Sequence, residues 1–184
     1  MPDGRFEHIH VDLVKLPLTK GFQYCLTIID GFTRWPVAVP VPDQQAATVA
    51  KALYDSWIAC FGTPLTITSD QGAQFKSALF TELAKMIGPS RIRTTPYHPQ
   101  SNGMVERFHR SFKVGLMCCP DVPWPDALPS VLLGLRTSFK EDLQASPAEM
   151  LYGTTLRVPG DFFTAQSHPD VNPPSFVQGL RRLT

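Results

Sequence analysis

Residues 6–16 read FEHIHVDLVKL and alternate between apolar and polar side chains. This two-residue period is typical of a half-buried β-strand. Asp12 lies on the polar side, where aspartate is a poor strand former and weakens a strand unless a function requires it. The apolar side consists of Ile9, Val11 and Leu13, and the polar side of His8, His10 and Asp12. We therefore expect a strand that joins a core on one face and presents a carboxylate on the other.

Two further β-rich stretches, residues 24–29 and 35–41, follow along the chain. They are separated by residues 30–34, DGFTR, a connection whose Asp and Gly favour a hairpin. The first three strands are therefore predicted to form an antiparallel meander.

Helical patterns alternate with short strands in the next part of the chain. Apolar side chains recur every three or four residues over 46–58 and over 75–87, which predicts two amphipathic helices. Residues 65–68 and a stretch around Ile92 predict strands, and the strand–helix–strand order implies parallel pairing through right-handed crossovers. The sequence thus predicts an α/β fold: a five-stranded mixed sheet, antiparallel meander plus parallel strands, flanked by helices.

The remaining sequence predicts a loop, further helices and an extended tail. Residues 94–103, TTPYHPQSNG, have the composition of a loop, and residues 156–184 are rich in Pro and lack periodicity. The helices are predicted over 104–117, 127–137 and 148–152. We expect one domain over residues 1–155 followed by a Pro-containing tail or linker over 156–184.

Composition restricts the class of protein. The 184 residues include 17 Lys and Arg against 16 Asp and Glu, a net charge of +1, so only a local basic patch can attract a polyanion. The four cysteines form no C-x-x-C pair, which favours a reducing, intracellular compartment. No apolar run approaches the length of a membrane span, so we expect no membrane partner.

Three carboxylates stand out as a possible catalytic set. Asp12 lies in the first strand, Asp70 follows the strand LTIT, and Glu106 lies on the helix 104–117. Considered one at a time, each acidic residue could also be an ordinary solvent-exposed or turn residue. Ligands bind at the carboxyl ends of parallel strands, so neighbouring strands could bring the two aspartates to one edge. A helix crossing beside that edge could add Glu106.

Clustered carboxylates need cations between them. They raise each other's pKa unless positive charge is present, and oxygen-only ligands favour Mg²⁺ or Mn²⁺. Two such ions, about 3.5 to 4 Å apart, bind the attacking and leaving oxygens of a phosphodiester. The set is therefore suited to phosphoryl transfer on nucleic acid.

These residues and their surroundings resemble a known family. Asp12 in IHVDLV, Asp70 in TSDQGAQF and Glu106 in YHPQSNGMVERFHR resemble the D,D-35-E signature of retroviral and retrotransposon integrases, and 106 − 70 − 1 gives the interval of 35. The flanking DGFTRW and SPAEMLYG are most similar to integrases of the Ty3/gypsy class. The resemblance covers roughly residues 5–155.

The resemblance implies a ribonuclease-H-like catalytic core in which Asp12, Asp70 and Glu106 hold two Mg²⁺ or Mn²⁺ ions. It implies metal-dependent trimming of a retroelement DNA 3′ end by water, and joining of the resulting 3′-hydroxyl to target DNA. The implied partners are element ends, target DNA and further copies of the chain, as a dimer or higher assembly. The implied location is intracellular, and nuclear at the time of integration.

A local basic patch lies beside Glu106. Residues 91–113 contain five basic side chains and one acid, so they carry a net +4 on a chain whose total is +1. Asn102, Glu106, Arg110 and Lys113 share one helix face, and Arg110 and Lys113 there would bind phosphates. By resemblance, Tyr97 and Asn102 match positions that contact DNA near the scissile phosphate. The predicted DNA-binding residues are Tyr97, Gln100, Asn102, Arg107, Arg110 and Lys113.

Other polar residues have simpler interpretations. His98 and His109 favour surface packing over acid–base catalysis, and His8 with His10 indicates a metal pair only weakly. Asp30 is explained by turn chemistry.

Two alternatives to an integrase core remain. One is another ribonuclease-H-like nuclease or transposase, which the 35-residue interval disfavours. The other is a domesticated integrase-derived module that binds DNA or protein without turnover, in which the loss of at least one acid would be expected.

Overall fold

The computed structural model describes residues 4–88, 93–94 and 99–159. A five-stranded sheet forms its centre, in the order β3-β2-β1-β4-β5. Antiparallel pairing joins β1, β2 and β3, while β4 pairs in parallel with β1 on one side and with β5 on the other. The strands are β1 (His8–Thr19), β2 (Phe22–Asp30), β3 (Pro36–Val41), β4 (Thr66–Thr68) and β5 (Arg93–Thr94). The predicted mixed sheet, a meander plus parallel strands, is confirmed.

The helices follow the predicted order with shifted boundaries. They are α1 (Ala46–Leu53), which continues through a π-helical stretch (Tyr54–Ile58) into α2 (Ala59–Phe61), then α3 (Ala73–Ile87), α4 (Pro99–Met117), α5 (Trp124–Thr137) and α6 (Pro147–Tyr152). Gly62 follows α2 and Gly88 follows α3, and their φ values are 87° and 79°. A positive φ ends a helix, and glycine adopts it without strain because it has no side chain. Ser146 and Glu149 form a capping box at the start of α6.

One prediction about α4 is partly wrong. The helix begins at Pro99, inside the stretch that we predicted as the loop 94–103. Proline lacks the N–H that a first helical turn leaves unpaired, and its fixed φ suits that position, so a proline-containing stretch can open a helix. Composition alone does not distinguish this use of proline from a loop.

One face of the sheet packs against α1, the π-helical stretch and α3. Ile9 and Val11 of β1 join a core on this face that contains the fully buried Leu53 and Trp57. This is the apolar face that the alternation in β1 predicts.

The opposite face of the sheet is covered by α4 and α5. Val14 of β1 and Cys25 of β2 join a second core with Phe112 of α4 and Leu128 of α5. The polar face predicted for β1 is therefore not open to solvent along its length. It meets a helix layer, and Asp12 lies within this partly covered surface.

No helix in the part of the chain that the structure describes is both long enough and apolar enough to cross a membrane. The proposed tail, residues 156–184, lies outside the described residues from position 160 onward, so the domain boundary at 155 stays a prediction.

Candidate active site

The register of β1 and β4 places Asp12 and Asp70 at the same level of the sheet. His8 pairs with Thr66, Ile9 with Ile67 and His10 with Thr68. Asp12 and Asp70 each lie two residues beyond the last of these pairs. The two strands run in the same direction, so Asp12, within β1, lies beside the point where the shorter β4 ends and Asp70 follows it.

The two carboxyl groups interact directly. Removal of water from around the Asp70 carboxyl, a hydrogen bond that its protonated form shares with Asp12 and repulsion by the Asp12 charge together raise the pKa of Asp70 to about 6. Gln71 spans the pair, because its Nε2 donates to Oδ1 of Asp12 at 3.2 Å and to Oδ1 of Asp70 at 3.3 Å. The two acids are thus close together, and the side-chain amide of Gln71 bridges them.

Helix α4 contacts this acid pair through His109. Nδ1 of His109 lies 3.5 Å from Oδ2 of Asp12, and its Nε2 lies 3.0 Å from Oγ1 of Thr27. Burial lowers the pKa of His109, although the charge of Asp12 opposes the shift, so the ring is favoured in its neutral form. The Thr27 hydroxyl also lies 3.2 Å from the main-chain oxygen of Asp12 and can donate to it. Thr27 and His109 thereby link β1, β2 and α4 around Asp12.

Glu106 lies on α4 one helical turn before His109, and its side chain is exposed. Within residues 4–88, 93–94 and 99–159, no group of three or more His, Cys, Asp or Glu side chains has an arrangement that could hold a metal ion. The structure therefore brings Asp12 and Asp70 together and places Glu106 on the adjacent helix. Its participation in a three-carboxylate site stays a prediction.

The predicted DNA-binding residues divide into two groups. Arg107, Arg110 and Lys113 are exposed on α4. Lys113 is close enough to His109 for its charge to help lower the pKa of that ring. Tyr97 lies outside the described residues, and Gln100 and Asn102 lie within α4 at positions whose side chains are not described.

The remaining polar residues have structural roles. The buried carboxylate of Asp30 accepts from the main-chain N–H of Phe6 and from both the N–H and the hydroxyl of Thr33, as turn chemistry predicts. His10 is buried and stacks on His8 at 4.6 Å. Burial, aided by the charges of His8 and Arg34, lowers the pKa of His10 to about 4.

Sequence reasoning missed Thr27 and Gln71, and it assigned His109 to surface packing, whereas the half-buried ring of His109 lies against Asp12. Gln71 directly follows Asp70, and His109 lies one turn after Glu106, so proximity to the acids was an available signal for both. Thr27 gave no such signal, because its place opposite Asp12 depends on the register of β1 and β2.

The chemistry of the donor set fits a hard divalent cation. Two carboxylates face each other, and within the described part of the chain neither is paired with Lys or Arg. Carboxylate oxygens are the ligands that Mg²⁺ and Mn²⁺ prefer, and a cation between them would relieve the repulsion that raises the pKa of Asp70.

Comparison with known proteins gives a consistent result. The family model described as integrase core domain matches residues 2–99. The chain is 34% identical over 161 residues, 85% of its length, to the Gag-Pol polyprotein of Walleye dermal sarcoma virus. It is 30% identical over 167 residues to a retrovirus-related Pol polyprotein from transposon 412 of Drosophila melanogaster. The chain spans only 9% and 13% of the lengths of these two relatives.

Solved structures share the fold. The catalytic core domain of HTLV-2 integrase, in complex with magnesium and in a trimeric form, superposes with a TM-score of 0.61 at 19% identity, covering 78% of this chain and 95% of that one. The simian T-cell lymphotropic virus intasome in complex with the PP2A regulatory subunit B56 gamma gives 0.64 at 21% identity, covering 89% and 59%.

Proposed function

The chain belongs to the integrase core domain family, and on this premise we propose that it is a DNA strand transferase acting through Asp12, Asp70 and Glu106. It trims the 3′ end of a retroelement DNA and joins that end to target DNA. The first reaction uses water to break a phosphodiester and frees a 3′-hydroxyl. In the second, this hydroxyl attacks a target phosphodiester, forms a new ester bond and releases a target 3′-hydroxyl.

The observation that carries the proposal is the pairing of Asp12 with Asp70. The parallel register of β1 and β4 sets the two acids level, and Gln71 hydrogen-bonds to both. Two aspartates that served only to contact solvent would not have to lie side by side with a shared hydrogen-bond donor. The pKa of Asp70 is raised to about 6 because its negative charge is unfavourable beside Asp12. A bound cation would offset this repulsion between the two carboxylates.

The residues that would hold two Mg²⁺ or Mn²⁺ ions are Asp12, Asp70 and Glu106. When bound, these ions would supply Lewis-acid stabilisation of a phosphodiester undergoing in-line displacement. Glu106 lies one helical turn before His109, the residue through which α4 contacts Asp12, so we expect its carboxylate on the same side of α4 as the acid pair.

Neighbouring residues hold the side chain of Asp12 in place and would position the DNA strand. Thr27 bonds to His109 and so restricts the orientation of the ring beside Asp12. A neutral His109 leaves the negative charge of Asp12 available for a cation. Arg110 and Lys113 extend from the exposed surface of the same helix, where they would bind phosphates and position the strand without reading its bases.

We further propose that the partners are element DNA ends and target DNA, and that copies of the chain assemble into a dimer or higher oligomer, because one target must receive two ends. The trimeric form and the intasome found among the structural neighbours are consistent with assembly. Integration into a genome would place the protein inside the cell, and in the nucleus when it acts.

A direct test uses labelled duplex DNA carrying candidate element ends, incubated with this chain and with a longer protein that contains it. Shortened 3′ ends and joined products should form only with Mg²⁺ or Mn²⁺. The Asp12→Asn variant should form neither, while the Asp55→Asn variant, which removes a surface carboxylate from the π-helical stretch, should form both. Products that are independent of a divalent ion or of Asp12 would contradict the proposal.

A further inference from the structure

A cavity of about 470 Å³ lies between α4, the end of α5 and residues 139–142. Its lining combines four basic and two acidic side chains with apolar and aromatic surface. The charged members are Arg34, Arg107, Arg110, Lys140, Glu141 and Asp142. The excess of basic groups favours an anionic occupant.

Two arginines of this cavity converge on one carboxylate oxygen. Nη2 of Arg34 and Nη2 of Arg107 lie 3.7 and 3.9 Å from Oδ2 of Asp142. Both distances are too long for a direct hydrogen bond. The carboxylate therefore neutralises part of the charge without satisfying the donors of either guanidinium. A phosphodiester could accept hydrogen bonds from both, since planar guanidinium groups match phosphate oxygens well.

Arg34 is held rigidly and retains an unsatisfied donor. Its side chain is only 14% exposed, and its backbone has a φ of 62°, a conformation uncommon for residues other than glycine. One terminal nitrogen donates to the carbonyl of Gly31. Its buried Nε has no hydrogen-bond partner among the described residues. The surrounding atoms close off the Nε, so an occupant of the cavity would meet Arg34 through its terminal nitrogens.

The acidic side of the cavity is also fixed in place. The N–H of Lys140 donates to the carbonyl of Ala145 at 3.0 Å, and the N–H of Leu143 donates to the carbonyl of Lys140 at 3.1 Å. Leu143 and Ala145 are buried with Met150. These hydrogen bonds and buried side chains hold the turn that contains Asp142 in place.

Aromatic surface completes the site. Phe139 lines the cavity yet is 49% exposed, while Phe108 lines it from α4 and stacks on the buried Phe112 at 5.7 Å. A phosphate alone would fill a small part of this volume. Basic side chains beside exposed aromatic rings are the combination with which proteins bind unpaired strands, because every base can stack on a ring.

We propose that this cavity binds one unpaired nucleotide of a DNA strand, with its phosphate on Arg34 and Arg107 and its base against Phe139. Asp142 limits the affinity by competing for the two arginines. The inference rests on the proposed function for the identity of the nucleic acid as DNA. An unpaired nucleotide fits better than duplex, because the bases of a duplex are stacked inside it and cannot enter a concave site.

The test is the binding of a fluorescein-labelled oligothymidine of about ten nucleotides, and of a labelled duplex, to the whole chain by fluorescence anisotropy. Asp142→Asn should tighten oligothymidine binding roughly two- to fivefold, because a competing charge is removed. Phe139→Ala should weaken it by about fivefold or more and leave duplex binding unchanged, while Phe139→Trp, which keeps a ring, should bind as the parent does. The melting temperature of each variant checks folding.

Two matched controls lie elsewhere on the molecule. Asp55→Asn removes an exposed carboxylate from the π-helical stretch, and Leu65→Ala shortens an exposed apolar side chain that is 57% exposed. The proposal is overturned if Asp142→Asn tightens binding no more than Asp55→Asn does. It is also overturned if Phe139→Ala has no larger effect than Leu65→Ala, if it weakens duplex binding equally, or if a polyglutamate peptide competes as well as oligothymidine. Loss of DNA joining with this binding pattern intact would count against the proposed function alone.

Discussion

Asp12 in β1 and Asp70, which follows the parallel strand β4, lie level with each other, each two residues beyond the last pair that joins the two strands. The side-chain amide of Gln71 donates a hydrogen bond to both carboxylates. The register of β1 and β4, together with the bend that follows β4, therefore brings the two acids together.

The acid pair should reduce stability when no metal is present. The folded-state pKa of Asp70 is raised to about 6, above the ordinary value of 3.8, so its contribution to stability is fully present below pH 3.8 and is lost as pH rises through 6. Asp70→Asn should raise the melting temperature at pH 7.5 in chelator. Water screening limits the gain to about 1 kcal/mol, or roughly 2–4 °C. Thermal unfolding at pH 7.5 and pH 4.5 measures it.

The gain from Asp70→Asn should shrink at pH 4.5, where the parent carboxyl is already largely protonated. Asp121→Asn is a suitable control, because Asp121 is an exposed aspartate between α4 and α5. An equal rise in both variants, or a lower melting temperature for Asp70→Asn at pH 7.5, would show that the two acids do not oppose each other.

Mg²⁺ or Mn²⁺ should stabilise the parent protein. A cation that binds only the folded state raises its stability by about 2.7 kcal/mol at a hundred times its dissociation constant, which corresponds to roughly 5–10 °C. Titration of each metal during thermal unfolding measures the shift. The Asp12→Asn, Asp70→Asn double variant should show none, and Asp55→Asn should show the full shift. An equal shift in the double variant would place the bound cation elsewhere.

His10 should make the protein sensitive to acid. Its pKa is lowered to about 4 in the folded chain, chiefly by burial, against about 6.5 when unfolded. The unfolded chain therefore binds a proton more readily between these values, and about 3 kcal/mol of stability is lost as pH falls from 6.5 to 4. His10→Phe should reduce the pH dependence of the unfolding free energy by that amount. Denaturant titrations at several pH values that give parallel curves for parent and variant would contradict the assignment.

The exposed cations of α4 should control the salt dependence of DNA binding. Arg110 and Lys113 are exposed, while Phe112 on the same helix is fully buried, so Arg110→Ala with Lys113→Ala should leave the fold intact. Each lost phosphate contact should reduce the slope of log affinity against log salt by about one, for all DNA sequences alike. Lys51→Ala with Lys85→Ala, on α1 and α3, is the control. Equal slopes in the two double variants would assign the basic patch to solubility.

The sheet could be predicted from the sequence because its pattern is local. The alternation in β1 and the helical period over residues 46–58 each arise because one face of the element is buried. The spacing of apolar residues in the sequence therefore predicts these elements. Residues 94–103 show the limit of this reasoning, because Pro and Gly occur both in loops and at helix starts, and α4 begins at Pro99.

The candidate site could be predicted only in part. Asp12 was predicted from the polar side of β1 and Asp70 from the end of the strand 65–68, together with the motif spacing, and the comparisons confirm the family. The contacts of Asp12 with Thr27 and His109 depend on strand register and on where α4 crosses the sheet, which no short sequence pattern encodes. The convergence of Arg34 and Arg107 on Asp142 likewise joins three distant segments.

The central claim is that Glu106 completes a catalytic set with Asp12 and Asp70, and the activity of Glu106→Gln tests it most directly. Glutamine keeps the size and helix propensity of glutamate but lacks the charge that holds a cation. With Mn²⁺, in a preparation whose parent cleaves and joins DNA, the variant should lose more than about a thousandfold in rate while DNA affinity is unchanged or slightly improved. Glu82→Gln on α3 should retain the parent rate. Activity of Glu106→Gln within about tenfold of the parent would show that Glu106 is a surface glutamate and would contradict the account.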